Sequence, residues 1–129
     1  MPNTRNPTDA ELAILRVLWE HGDLTVREVH DLMASSRSVT YTTTLKTLQV
    51  MTEKGLTVRQ TVRGQHIYRP HLPEHETQRR LVRDLLDRAF GGSTTKLVMQ
   101  ALASRPASPE ELREIRRLLA AQKKEHDDD

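Results

Sequence analysis

No cysteine occurs among the 129 residues, which excludes disulfides, thiolate metal sites and cysteine nucleophiles together and fits a reducing cytoplasm. Aromatic residues make up only 3% of the chain, so a core has to be built from Leu, Val, Ile, Ala and Met. No apolar run approaches the ~20 residues of a membrane span. The start, Met1-Pro2-Asn3-Thr4-Arg5-Asn6, lacks the apolar segment of a secretory signal. The expectation is a cytoplasmic protein with no direct membrane binding. Glycine-rich phosphate loops and nucleophile elbows are missing as well, and Ser, His and Asp are scattered over polar stretches. An enzyme is not expected, nor a cofactor. Six histidines raise the question of a metal, with His71 and His75 four apart, but Pro73 between them breaks the helical spacing that two ligands would need. No metal ligands are assigned.

What is present is 29% charged residues and 36% hydrophobic ones, a balance suited to a soluble, helix-rich chain. Its length fits one ordinary domain, or a small domain with an appendage that borrows its core from a partner. The net charge of +2 is too small to identify a partner, but its distribution is uneven. Residues 1–36 hold three basic side chains against six acidic, a net of −3. Residues 37–72 hold six, Arg37, Lys46, Lys54, Arg59, Arg63 and Arg69, against Glu53 alone, a net of +5. From 73 on, 11 basic and 11 acidic residues balance.

Two capping boxes, Thr8-Asp9-Ala10-Glu11 and Thr25-Val26-Arg27-Glu28, mark the starts of two helices, because each Thr hydroxyl and Glu carboxylate satisfies a backbone N–H that a helix start leaves open. The first helix carries Leu12, Leu15, Val17, Leu18 and Trp19 as its apolar side, with Trp19 as a core anchor, and stops at His21-Gly22-Asp23. The second turns Val26, Val29, Leu32 and Met33 inward and fades at Ser35-Ser36. A third helix spans about Val39 to Lys54 despite the β-branched Thr40, Thr42, Thr43, Thr44 and Thr47, and Gly55 closes it. At 100° per residue, Tyr41, Thr44, Leu45, Leu48, Met51 and Thr52 share its core side, while Thr42, Thr43, Lys46, Gln49 and Val50 share the other. The period then changes. Leu56 to Gln60 and His66 to Arg69 read as two strands around a turn containing Arg63-Gly64, closed by Pro70 and Pro73.

Three short helices and a basic-tipped hairpin make a winged helix-turn-helix, a mainly α (α+β) fold whose third helix reads the major groove of DNA. The candidate contacts are Arg37 and Thr40 on the approach to that helix, Thr42, Thr43, Lys46 and Gln49 on it, and Arg63 and Gln65 at the hairpin tip. Thr hydroxyls and methyls suit phosphates, base edges and the thymine methyl, and Lys and Arg supply charge. The same fold also docks proteins through this helix, so a protein-interaction module without operator binding is the alternative.

Beyond 72 the pattern is helical. Leu81, Leu85, Leu86 and Phe90 recur on one helix before Gly91-Gly92, Leu97, Val98 and Leu102 on a second capped by Ser93, and Leu112, Ile115, Leu118 and Leu119 on a third opened by Ser108-Pro109-Glu110-Glu111. Three amphipathic helices without a sheet do not readily close a core in about 50 residues, and a second copy of the chain is the simplest source of the missing surface. The expected organisation is a winged helix over 1–72, an α-helical dimerisation region over 73–124 and a solvated acidic tail over 125–129.

Val39-Thr40-Tyr41-Thr42-Thr43-Thr44-Leu45, Leu48 and Glu53-Lys54-Gly55-Leu56 resemble the penicillinase-repressor family (BlaI/MecI/CopY type). The opening helix with Glu11, Leu15, Val17, Leu18 and Trp19, Tyr68 in the second strand, Gly91-Gly92 before Leu97-Val98, and the closing Ser-Pro-Glu-Glu-Leu helix extend the resemblance over residues 8 to 122. The resemblance implies a homodimeric transcriptional repressor, of the kind that regulates antibiotic-resistance genes, bound to a double-stranded operator with inverted TACA and TGTA half-sites. It places Thr42 and Thr43 at groove-facing positions, and Val50 where an Arg is common. It also implies a membrane sensor-protease as a partner, with cleavage in the dimerisation region between an Asn and a Phe. Gln100-Ala101 stands at that bond in this chain, and the Cys cluster of the copper-responsive branch is absent.

Overall fold

The computed structural model describes residues 6–127; the first five residues, on which the leader reading partly rests, and Asp128-Asp129 of the acidic tail lie outside the described residues. The element order is α1 (Asp9–His21), β1 (Leu24–Thr25), α2 (Val26–Ala34), α3 (Tyr41–Glu53), β2 (Thr57–Val62), β3 (Gln65–Pro70), α4 (Glu74–Ala89), α5 (Thr94–Ser104) and α6 (Pro109–Asp127). The chain divides into two compact units, up to Arg83 and from Asp84, so the division falls inside α4. No described helix is long and apolar enough to cross a membrane.

The helix starts follow local chemistry. The first two capping boxes form in full: the Thr8 and Thr25 hydroxyls accept from the Glu11 and Glu28 N–H groups at 3.2 Å, and the two carboxylates accept in return from the Thr8 and Thr25 N–H groups at 2.9 Å. α1 and α2 bury Ile14, Leu15, Leu18, Val26, Val29 and Met33. Leu32, expected inward, is 37% exposed, because it lies at the edge of the face that Val26, Val29 and Met33 bury. Trp19 is half-buried against the core and its Nε1 donates to the Leu72 carbonyl at 3.3 Å, tying α1 to the segment after β3.

In α3 the threonines that lower helix propensity are used by the helix itself. Thr44, Thr47 and Thr52 hydroxyls donate to the carbonyls of Thr40, Thr43 and Leu48, one turn back, so they bury no unsatisfied group. Leu48 and Met51 are fully buried and hold the helix to the core; each such side chain stabilises by roughly 1.5 to 3 kcal/mol. Tyr41, expected on the core side, is instead 37% exposed at the start of α3, where its ring meets Arg27 and His30 of α2.

β1, two residues with no period of their own, was not expected. It completes an antiparallel sheet of order β1-β3-β2, with Leu24 opposite Tyr68 and Val62 opposite Gln65 at the tip of the β2–β3 hairpin. Tyr68 and Leu24 carry the sheet into the core beside Leu15, Leu18 and Val29.

A buried ion pair ties the start of α1 to the end of α3. Glu11 is only 4% exposed, and its carboxylate accepts from the Lys54 ammonium, at the C-cap of α3, at 2.9 and 2.8 Å. Burial pushes the Glu11 carboxyl up, but the Lys54 and Thr8 hydrogen bonds and the Lys54 charge outweigh it and hold the group below the usual carboxylate range. A lowered folded value means that the pair's stabilisation is fully present above the unfolded Glu value of about 4.3 and is lost as pH falls through the folded value. Glu11→Gln is therefore expected to cost about 2 to 3 kcal/mol at neutral pH in urea unfolding, and the gap to the unaltered chain is expected to narrow near pH 3. An equal gap at both pH values would contradict this.

The second unit is built differently. Ser93 and Ser108 cap α5 and α6, the latter through a third capping box with Glu111. No residue of α5 or α6 is buried. Of the expected dimerisation residues, Leu81, Leu86, Phe90, Leu97 and Ile115 are half-buried, and Leu85, Val98, Leu102, Leu112, Leu118 and Leu119 are exposed. α6 continues through Glu125, His126 and Asp127, so the described part of the acidic tail is helical.

Candidate nucleic-acid interface

α3 presents Thr42, Thr43, Lys46 and Gln49 in one exposed row, with Val50 half-buried at its edge. Buried Thr44, Leu48 and Met51 lie on the opposite side, so the row is outward because the core requires the other face. Thr40 is the N-cap. Its hydroxyl accepts from the Thr43 N–H at 3.1 Å and donates to the Thr43 hydroxyl at 2.9 Å, which fixes the start of the row.

The hairpin adds a second exposed set. Val62 and Gln65 pair across a two-residue turn in which both Arg63 (φ 53°) and Gly64 (φ 79°) take the left-handed conformation that a type I′ turn demands. Gly adopts it freely. Arg does so at a steric cost, where Asn or Gly would fold the turn more easily, and strain of this kind in an exposed cationic residue points to use of the side chain. Arg63 and Gln65 are both exposed at the tip, and Arg59, His66 and Arg69 are exposed along the strands. The Thr61 hydroxyl and His66 Nδ1 lie 3.2 Å apart across the ladder.

Arg37 is exposed between α2 and α3, but its side chain lines a cleft of about 480 Å³ together with Arg16, Val17, Trp19 and Met33. It is thus placed beside α1 as well as near the approach to α3. Of the six basic residues in 37–72, Lys54 is taken by Glu11. Among the described residues no carboxylate engages Arg37, Lys46, Arg59, Arg63 or Arg69. The surface is therefore cationic in the folded chain as well as in the sequence. No group of three or more His, Asp or Glu among the described residues could hold a metal ion, and His71 and His75 are both exposed.

One cluster escaped the sequence reading. The Arg27 guanidinium lies over the Tyr41 ring, 4.5 Å from its centroid, and His30 meets the same ring edge-on at 5.8 Å and 78°. His30 Nδ1 is 3.2 Å from the Thr44 hydroxyl. Arg27 belongs to the acidic first third of the chain, so a count of charge by segment hides it; its place on the outward side of α2 was the one signal available.

The sequence pattern of the family described as Penicillinase repressor matches residues 7–121. A penicillinase repressor from Bacillus licheniformis is 27% identical over 120 residues, covering 90% of this chain and 91% of that protein. Among solved structures, the solution structure of the Bacillus licheniformis BlaI monomeric form, in complex with the blaP half-operator, is similar over 59% of this chain and 93% of its own, at 22% identity and a TM-score of 0.51. That likeness establishes the winged-helix fold.

Proposed function

Because the chain belongs to the penicillinase repressor family, we propose that it is a sequence-specific DNA-binding transcriptional repressor that occupies an inverted-repeat operator as a homodimer. The observation that carries this reading is the exposed row Thr42, Thr43, Lys46 and Gln49 together with a strained, cationic wing that no carboxylate among the described residues engages. The row suits the major groove, where Thr and Gln meet base edges and the thymine methyl, while Lys46, Arg59, Arg63 and Arg69 suit phosphates. The half-operator bound in the neighbouring structure supports the same partner for this chain. Two copies would place two α3 helices in successive major grooves, and repression follows from blocking the promoter.

The apolar residues left exposed on α4, α5 and α6, Leu85, Leu102 and Leu118 among them, support the homodimer. Release by a membrane sensor-protease belongs to the same reading. Gln100 and Ala101 are exposed inside α5, whose backbone has to open before a protease can engage it.

The test is titration of the protein on a duplex from the region upstream of its own gene, repeated over a series of salt concentrations and accompanied by a footprint. Binding is expected to fall steeply with salt, and Lys46→Ala is expected to reduce the slope of log affinity against log salt by about 0.9, the value of one lost phosphate contact. Absence of any footprint on an inverted repeat, or binding that ignores salt, would reject operator recognition in favour of a protein partner.

A further inference from the structure

We propose that Arg27 is a phosphate contact of the bound duplex, held ready on the Tyr41 ring, so that α2 grips the DNA backbone beside the groove that α3 reads. The inference rests on the DNA-binding reading above and deepens it.

Tyr41 is the first residue of α3, between the N-cap Thr40 and the groove-facing Thr42. A guanidinium 4.5 Å above its ring therefore stands at the start of the reading row, although it comes from another helix. Arg27 has an easier partner at hand. Asp31 lies four residues on along α2, the spacing at which a helix forms ion pairs. Among the described residues that pair is not made, and no carboxylate takes Arg27. A guanidinium held over a ring makes no hydrogen bond to it and keeps its N–H donors for a phosphate, which Arg can bind with two parallel hydrogen bonds. Pairing with Asp31 would instead neutralise the charge.

The ring beneath it is held from a second side. His30 Nδ1 and the Thr44 hydroxyl lie 3.2 Å apart, a hydrogen bond that ties the imidazole to α3. This fixes the imidazole, whose edge-on contact then restrains Tyr41. Tyr41 and His30 are positioning residues: they aim Arg27. In a helix-turn-helix the helix before the reader crosses the phosphate backbone, and contacts made there set register without reading sequence.

The experiment compares Arg27→Gln, Arg27→Lys, Tyr41→Leu, Tyr41→Phe and the double variant Arg27→Gln/Tyr41→Leu with the unaltered protein, on the upstream duplex and on a non-operator duplex across a salt series. Circular dichroism melting checks that each variant folds. Arg27→Gln is expected to lose about one phosphate contact, a slope smaller by about 0.9, and to weaken binding roughly tenfold or more on both duplexes alike. Arg27→Lys should keep the slope while losing part of the affinity, and Tyr41→Phe should keep both because the ring remains. Tyr41→Leu should weaken binding, and the double variant should be no weaker than Arg27→Gln alone, since the ring acts only through the guanidinium. If Arg27→Gln keeps the full slope while Lys46→Ala reduces it, the inference is overturned and the DNA-binding reading stands. An additive double variant overturns the positioning role of Tyr41. An unaltered protein that binds neither duplex overturns the DNA-binding reading itself.

Discussion

Leu48→Ala is expected to destabilise the winged unit by about 3 to 5 kcal/mol, the cost of removing a large aliphatic side chain from a site that cannot collapse around the void. Leu48 is fully buried and stands where α3 meets α1, α2 and the sheet, among Leu15, Leu18, Val29, Met51 and Tyr68. The unit has few buried side chains to share the loss. For a domain of its size the shift in Tm is on the order of 15 to 25 °C. Leu32→Ala is the internal control, because Leu32 lies on α2 but is 37% exposed, and it should move the transition by only a few degrees. The exposed row of Thr42, Thr43, Lys46 and Gln49 sits on the same helix as Leu48, so if that row reads the operator, binding by Leu48→Ala should be near normal well below its lowered transition and vanish as the unit melts. Melts followed by circular dichroism, with binding measured at two temperatures, check both parts; a shift no larger than that of Leu32→Ala would mean that α3 is not held to the core in this way.

What could be read from the sequence was whatever chemistry is local. A capping box needs only a Thr or Ser and a Glu three residues on, and all three, at Thr8, Thr25 and Ser108, form as expected. The outward row of α3 was legible because Leu48 and Met51 fix the inward side, and all eight expected DNA contacts are in fact exposed. Arg63-Gly64 was legible as a turn, though not the left-handed backbone of Arg63.

Features that depend on distant partners were not legible. β1 is only two residues and exists because β3, more than forty residues later, has a free edge. Glu11 reads as a cap, yet it is also half of a buried ion pair whose other half is 43 residues away. A helical wheel places Tyr41 with Leu45 and Leu48, but a wheel does not know where the core ends along the helix axis. It therefore hides both the exposure of Tyr41 and its use by Arg27. The apolar stripes of α4 to α6 are as visible in the sequence as in the structure, and Leu85, Leu102, Leu112, Leu118 and Leu119 among them stay exposed in the single chain.

That surface gives the second large effect. Leu85 and Leu118 are 48% and 52% exposed in the single chain, so an Asp at either position removes little packing from the chain's own fold. If a second copy covers them, the same Asp brings an unpaired carboxylate into an apolar interface, which costs several kcal/mol, and neighbouring exposed ion pairs such as Arg113 with Glu110 cannot offset it. Leu85→Asp and Leu118→Asp are therefore expected to sediment as monomers whose winged unit melts as in the unaltered protein. Their α3 rows and wings are intact, so each half-site contact survives, but the second half-site no longer binds at the high effective concentration that a linked partner provides. Affinity for the full inverted repeat should fall by about a hundredfold or more, while affinity for a single half-site stays within a few-fold of the unaltered protein. This pairing of results separates loss of the dimer from damage to the reading helix, which would weaken half-site and full site together. Variants that still sediment as dimers, or monomers that hold the full operator as tightly as before, would show that the exposed leucines of α4 and α6 are not the dimer surface.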